Sequence, residues 1–243
     1  MKAVFEKTKG CNNKVLSFCG GCGHGIIMRL IAESLEELNV LDRAVLVNGI
    51  GCCAPSWQFV EYDSVSGPHG RAAAVATGLK RCCPEKVVYT YQGDGDCGAI
   101  GMAETLWAAI RGEQITVIHV NNTNYGMTGG QMSPTTLEGQ ITTTSPFGRN
   151  VELTGMPLHL PEMLAALPET TFVARVTLYN TAQIRNAKKQ IRRAFEVQLN
   201  GGYSFIEVLS PCPSNWRMTP SASMDHIEEI IVKEYPIGIF KDC

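Results

Sequence analysis

The chain has 243 residues, with 21 Lys and Arg against 23 Asp and Glu, and its formal charge of −2 comes without any long basic block. That excludes a nucleic-acid-binding face or a polybasic tail from the reading. Hydrophobic residues make up 44% of the chain, enough for one sizeable core, yet no apolar stretch approaches the ~18 residues that a membrane span requires.

The N-terminal MKAVFEKTKG is too polar for a secretory signal, so the expectation is a single cytoplasmic domain over residues 1–243. Ten cysteines in such an α/β chain point to metal or redox chemistry rather than disulfides. Residues 1–18 read as an edge or arm. Phe18 to Gly25 (FCGGCGHG) then sets Cys19 and Cys22 three residues apart among glycines, so that both sulfurs can turn toward one metal. Such a pair can be a redox dithiol, half of a zinc site or half of an iron–sulfur site, and two further ligands decide. His24 opens the apolar-periodic helix 26–38, where it can act as a functional group or as a capping or packing residue.

The buried strand 43–48 ends in Gly49-Ile50-Gly51-Cys52-Cys53, which makes Cys52 the best third thiol and Cys53 its local rival. Residues 66–80 contain a Gly-Pro turn, then His69 and Gly70, then an alanine-rich helix whose small residues allow close packing. Cys82 and Cys83 end that helix before Pro84 and read as structural.

Residues 86–91 are β-branched and aromatic and stop at Gly93, the pattern of a buried strand ending in a turn, with Asp94 at its tip. From Cys97 to Arg111, Ile100, Ala103, Leu106, Trp107 and Ile110 recur at three- and four-residue steps, predicting one helix with these residues on one face. A second strand, 114–120, ends in Asn121-Asn122. Strand, helix, strand of this length is a right-handed crossover between parallel strands, so Asp94 and Asn122 meet at one sheet edge. Open α/β sheets bind ligands there, and the helix N-terminus suits phosphate. A carboxylate and an amide oxygen beside a phosphate site suggest Mg²⁺ shared with a diphosphate.

Gly126 to Pro157 has no periodicity and is too long for a casual connection, so it is expected to fold over the site and contact a partner. A short helix at 161–167, a strand at 172–178, a helix at 181–199 and a strand at 204–209 follow, the last leading to Cys212 as a fourth thiol at a strand tip. In the long helix, Arg185, Lys188, Lys189, Arg192 and Arg193 read as a solvated face, with ferredoxin docking the weaker option. Residues 211–243 form a tail with a short amphipathic helix near 226–235 and apolar residues suited to subunit contact.

GDG at 93–95, followed after twenty-five residues by Asn121-Asn122, resembles the signature of thiamine-diphosphate enzymes. With Cys19-x-x-Cys22, GIGC ending at Cys52, HGRA at 69–72, NNTNYGMTGGQMSPTT and LSPC at Cys212, most of the chain resembles the β subunit of 2-oxoacid:ferredoxin oxidoreductases. The resemblance implies an α/β thiamine-diphosphate-binding fold, a mainly parallel sheet with helices on both faces. It implies Mg²⁺ on Asp94, Asn122 and the Asn124 carbonyl, and thiamine diphosphate against Gly51, Cys52, His69, Gly93, Asp94, Gly95, Asp96, Gly126, Met127 and Thr128. The TGGQ and SPTT segments are implied to line the diphosphate side. A [4Fe-4S] cluster is implied on Cys19, Cys22, Cys52 and Cys212, and His24 and His69 become the candidate catalytic side chains. Two departures stand out: CGGC where CPGC is common, and the doubled Cys52-Cys53, which keeps Cys53 in contention for the third ligand.

The implied reaction is oxidative decarboxylation of a 2-oxoacid to acyl-coenzyme A and CO₂, with electrons passing to ferredoxin. The first substrate expectation is a branched-chain acid such as 3-methyl-2-oxobutanoate, and the second is 2-oxoglutarate. The glutamate that activates the thiamine ring lies in a different domain of that family, so the chain is expected to need a pyrimidine-binding α subunit and a ferredoxin-like subunit. The competing expectations are half of a non-oxidative thiamine-dependent decarboxylase or synthase, distinguished by lack of iron, and a zinc-stabilised binding module, distinguished by zinc.

Overall fold

A computed structural model of the protein describes residues 6–243; residues 1–5, the start of the expected N-terminal arm, lie outside the described residues. Its elements run α1 (His24–Glu37), β1 (Ala44–Asn48), β2 (Asp63–Ser66), α2 (Ala72–Cys82), β3 (Val87–Gly93), α3 (Asp94–Gly98), α4 (Met102–Ile110) and β4 (Thr116–Asn121). After a long loop come α5 (Val151–Thr154), α6 (Leu160–Ala165), β5 (Thr170–Thr177), α7 (Thr181–Leu199), β6 (Tyr203–Leu209), α8 (Pro213–Trp216), α9 (Pro220–His226) and β7 (Gly238–Asp242).

The strands form one sheet in the order β2-β1-β3-β4-β6-β5-β7, parallel except for β7, which runs antiparallel to β5. Successive strand residues face opposite sides, as the pleat requires. Leu46, Tyr89, Ile118 and Ile206 pack against α1 and α7, while Val45, Val88, Val117 and Phe205 pack against α2, α4 and α6. Burial on both faces explains why these strands read as continuous apolar runs. From β1 the chain goes to β2 on one side and returns to β3 on the other. The sheet therefore reverses between β1 and β3, and the crevice beyond their C-terminal ends is where such sheets hold ligands.

The helix expected over 97–111 is broken in two. A Cβ on Gly101 would sit 2.0 Å from the Asp96 carbonyl oxygen and 2.7 Å from that of Gly70, so the backbone is crowded where α3 ends and α4 begins. Thr105, Ala108 and Ala109 form the buried face of α4, and the apolar stripe points outward, with Ile100 51% and Trp107 56% exposed. The long loop is ordered although it lacks periodicity. Arg149 is buried and donates to the carbonyls of Ser133, Pro134, Thr136, Gly155 and Met156, replacing the backbone pairing that a sheet or helix would provide. In the basic stripe of α7, Lys188 pairs with Glu33 and Glu37, Arg192 with Glu196 and Arg193 with Asp242, as expected of a solvated face.

The 211–243 segment is built into the sheet rather than appended to it. α9 continues through a π-helical turn at Ile227–Ile231, Tyr235 is fully buried, and β7 caps the edge. Beneath this edge Arg175, wholly buried, pairs with Glu207 and Glu162 and lies 5.1 Å from the ring centroids of Tyr235 and Phe240. Against the cost of burial, Arg175 and His119 hold the Glu207 carboxyl down at about 2. Its pairing therefore stabilises fully above the ordinary value of 4.5 and fades as pH falls toward 2. Glu207→Gln should lower stability at pH 7, by less than the ~3–5 kcal/mol of a fully stranded charge, because Arg175 loses its buried partner and keeps only the half-exposed Glu162. In urea unfolding under reducing conditions, the gap between this variant and the unmutated protein should narrow between pH 7 and pH 3; a constant gap would contradict the pairing.

Candidate functional site

The β1/β3 crevice is a cavity of about 380 Å³, within the range of small-molecule sites. His24, Gly51, Cys52, His69, Gly93, Asp94, Gly95, Asp96, Asn122, Asn124, Gly126, Met127 and Thr128 all line it, so the candidate cofactor and catalytic residues converge on one place. Of the four cysteines singled out as cluster ligands, Cys52 is in this lining, and Cys19, Cys22 and Cys212 are not.

Asp94 follows β3 directly, with Gly93 in an extended conformation before it. The helix it opens is five residues long, so the dipole expected from one long helix contributes little here. One carboxylate oxygen, Oδ2, accepts from Thr135 Oγ1 at 2.6 Å and Ser133 Oγ at 3.1 Å. The SPTT segment therefore sits behind Asp94 and orients it, instead of lining the cavity. Burial raises the Asp94 carboxyl above its ordinary value, which leaves an acceptor that a cation would charge fully.

The end of the Asn122 amide facing the site lies 3.0 Å from Asp94 Oδ1 and 2.7 Å from the Asn124 carbonyl oxygen. With its nitrogen turned in, Asn122 donates to both. With its oxygen turned in, three acceptors converge at separations close to the edge of an octahedron with Mg–O bonds of 2.0–2.1 Å, about 2.9 Å. This donor set fits Mg²⁺. The loop is held tightly: Thr123 adopts a left-handed φ of 58°, unusual for a β-branched residue, and its N–H donates to Asn121 Oδ1. Thr136 and Gln140 donate to the Thr123 carbonyl, and Asn121 Nδ2 donates to the buried Glu207.

Asp96 is also buried in the crevice wall, but its carboxylate is already engaged. It accepts from the backbone N–H groups of Ile50 at 3.0 Å and Gly70 at 2.8 Å and from Gln92 Nε2 at 2.8 Å, and His69 Nδ1 lies 2.5 Å away. Asp96 thus ties three loops together. His69 is half-exposed, caps no helix, and with Nδ1 committed offers Nε2 to a ligand. His24 does not cap α1 either. Its Nδ1 lies 2.6 Å from Tyr91 Oη, its ring stacks on Phe18, and burial lowers it to about 4, so it is neutral at pH 7.

The thiols gather near the NNTN loop, with Cys52 in the cavity lining and Cys212 beside Asn124. Burial pushes Cys22 up to about 11, with Cys212 and Cys19 adding to the rise, and pushes Cys52 up to about 12, with Cys212, Cys22 and Cys19 adding. These four sulfurs are thus close enough to oppose one another's ionisation, a cost that a bound cation removes. Among the described residues no three Cys, His, Asp or Glu side chains close on a single point, so ligation would draw the thiols inward. Cys53 is fully buried, its Sγ donating to the Ile50 carbonyl, and burial followed by the Asp96 carboxylate pushes it up. Cys212 Sγ lies 3.8 Å from Asn124 Oδ1. The thiol wall and the oxygen site share a loop.

Motif reading missed Ser133 and Thr135 as supports of Asp94, the Asp96 clasp, and α8, where Asn215 and Trp216 bond to the carbonyls of Gly126 and Asn122. Only the SPTT string carried a usable signal, and its contact is with the Asp94 carboxylate.

Residues 49–208 match the family described as thiamine pyrophosphate enzyme, C-terminal TPP binding domain. The chain is 45% identical over 240 residues to the ketoisovalerate oxidoreductase subunit VorA of Methanothermobacter thermautotrophicus, covering 98% of this chain and 50% of that protein. It is 38% identical over 234 residues to the 2-oxoglutarate synthase subunit KorB of Archaeoglobus fulgidus, covering 92% of this chain and 84% of that one. In structure it matches a chain of the 2-oxoglutarate:ferredoxin oxidoreductase of Magnetococcus marinus, solved with 2-oxoglutarate, coenzyme A and succinyl-CoA bound, with a TM-score of 0.81 at 24% identity over 99% of this chain and 86% of that chain. This chain spans about half the length of VorA. The extent of the family match and the near-full-length match to KorB establish that the chain belongs to the 2-oxoacid:ferredoxin oxidoreductase family, as its thiamine-diphosphate-binding β subunit.

Proposed function

We propose that the chain is the diphosphate-binding half of an enzyme that oxidatively decarboxylates a 2-oxoacid to acyl-coenzyme A and CO₂ and sends the electrons through a [4Fe-4S] cluster to ferredoxin. The observation that carries this reading is the shared loop: Asp94, Asn122 and Asn124 bring three oxygens together, and Cys212 Sγ stands 3.8 Å from Asn124 Oδ1. A decarboxylase without electron transfer has no use for thiols at that position.

In this reading Asp94 Oδ1, Asn122 Oδ1 and the Asn124 carbonyl hold Mg²⁺, and Cys19, Cys22, Cys52 and Cys212 hold the cluster. Bound thiamine diphosphate supplies the electron sink for decarboxylation. The chain positions and shields. Ser133 and Thr135 aim Asp94, Asp96 fixes the His69 ring, and neutral His24 can accept or donate a proton only through Nε2 while Tyr91 occupies Nδ1. Cys53, fully buried with its Sγ donating to the Ile50 carbonyl, is set aside as a ligand.

A branched-chain substrate such as 3-methyl-2-oxobutanoate is the first choice, supported by the similarity to VorA, and 2-oxoglutarate the second, supported by KorB. The partners are a pyrimidine-binding α subunit and a ferredoxin-like subunit, with ferredoxin and coenzyme A as co-substrates, in the cytoplasm. Exposed Ile141, Phe147, Leu153 and Met156 on the long loop, and Trp107 and Ile110 on α4, suit such subunit contacts.

Three outcomes test this. Co-produced with its α partner, the chain should support CoA-dependent, 3-methyl-2-oxobutanoate-driven reduction of ferredoxin, and alone it should not; activity of the lone chain would refute the two-subunit site. Asp94→Ala should weaken Mg²⁺–thiamine diphosphate binding about 100-fold or more in calorimetry, since loss of mere supporting groups already costs metal sites 10–100-fold. Cys52→Ser should lose iron from this chain under anaerobic purification while Cys53→Ser retains it, and the reverse pattern would reassign the third ligand.

A further inference from the structure

α8 turns back immediately after Cys212, and one side chain in it reaches both halves of the site. Asn215 Nδ2 donates to the Gly126 carbonyl at 2.9 Å and to Cys212 Sγ at 3.4 Å. A carbonyl oxygen can only accept, so the Gly126 contact fixes which end of the amide faces the thiol. The seat for Asn215 is made by Gly130. With φ at +80° and no side chain it leaves room where a Cβ would stand 3.1 Å from Asn215 Cβ. Gly126 in turn lies against the second thiol, since a Cβ there would come within 3.0 Å of Cys52 Sγ. The next residue, Trp216, donates its Nε1–H to the Asn122 carbonyl at 3.1 Å. Consecutive side chains of one short turn thus hold two carbonyls of the metal loop, and one of them also bonds the sulfur of Cys212.

A sulfur that ligates iron carries more negative charge when its cluster is reduced. An N–H donor aimed at it therefore stabilises the reduced form more than the oxidised form and raises the reduction potential. We propose that Asn215 is a positioning residue that raises the potential of the cluster bound through Cys212 and, with the same amide, locks Gly126 against Cys52. This rests on the assignment of Cys212 as a cluster ligand. The amide nitrogen carries two N–H donors, and the sulfur of Cys212 takes the one that the Gly126 carbonyl leaves free.

The test is an EPR-monitored redox titration of the anaerobically purified holoenzyme complex, in which dithionite supplies one electron per cluster and the partner clusters act as internal references. Asn215→Leu keeps the side-chain volume and removes the donor. It should retain full iron and sulfide, yet its cluster should titrate lower, with the reduction equilibrium constant down about tenfold, 59 mV for a one-electron couple. Full iron with an unchanged potential would overturn the inference and leave the cluster assignment standing. Absence of iron from this chain in the unmutated complex would instead overturn the assignment itself, and the inference with it. A direct readout on the unmutated protein guards against poor folding of the variant: with ¹⁵N-asparagine label, pulsed EPR of the reduced cluster should show coupling to an asparagine side-chain nitrogen. Its absence there would equally overturn the proposal.

Discussion

The crevice depends on one buried carboxylate. Asp96, in the short helix after β3, draws the backbone after β1 and the backbone before α2 onto its carboxylate and is braced by the Gln92 side chain of β3, so that three connections meet. Each of these connections brings different chemistry: the one after β1 leads to Cys52, the one before α2 carries His69, and the one after β3 presents Asp94. The parallel sheet delivers all three to the same edge, but it fixes only where the strands end. The spacing between their loops is set by hydrogen bonds to a charged acceptor, which are stronger than those to a neutral one.

A second buried anion does the corresponding work on the other side. Glu207 is paired with Arg175 and accepts from Asn121, whose side-chain oxygen accepts from Thr123 and so holds the left-handed turn that presents Asn122 and Asn124. The C-terminal segment closes the arrangement, because the Tyr235 hydroxyl donates to the carbonyl of Thr135, the residue that orients Asp94. Strain at Thr123 and charge burial at Glu207 are costs that the surrounding contacts offset. The return is a set of oxygens whose positions are fixed before any ligand arrives, which is what a small, geometry-demanding cation requires.

Much of this was legible in the residues. The spacing from Gly93-Asp94-Gly95 to Asn121-Asn122 reports a βαβ unit with two polar groups at its tips, and cysteines directly after strands report a shared edge. What escaped was set by contacts distant in sequence. The break at Gly101 comes from the crowded carbonyls of Asp96 and Gly70, invisible to helical periodicity. The outward turn of Ile100 and Trp107 reverses an apolar pattern that would mark a core face in a free-standing domain. β2, which the sequence reading leaves unassigned, is a short exposed edge strand, DSVS, with no alternation to detect. Arg149 organises the long loop through backbone carbonyls, which leave no mark on composition, and Asn215 sits three residues past Cys212 in no motif at all.

The central claim is that the oxygen triad and the thiol wall form one redox site. It is tested most directly by adding 3-methyl-2-oxobutanoate to the anaerobically purified complex, retaining its partner subunits, and reading the cluster of this chain by EPR before any ferredoxin is supplied. The account predicts a reduced-cluster signal that appears with the 2-oxoacid and is missing when Asp94 is replaced by alanine. A complex that holds thiamine diphosphate and full iron but shows no such signal with either 3-methyl-2-oxobutanoate or 2-oxoglutarate would contradict it.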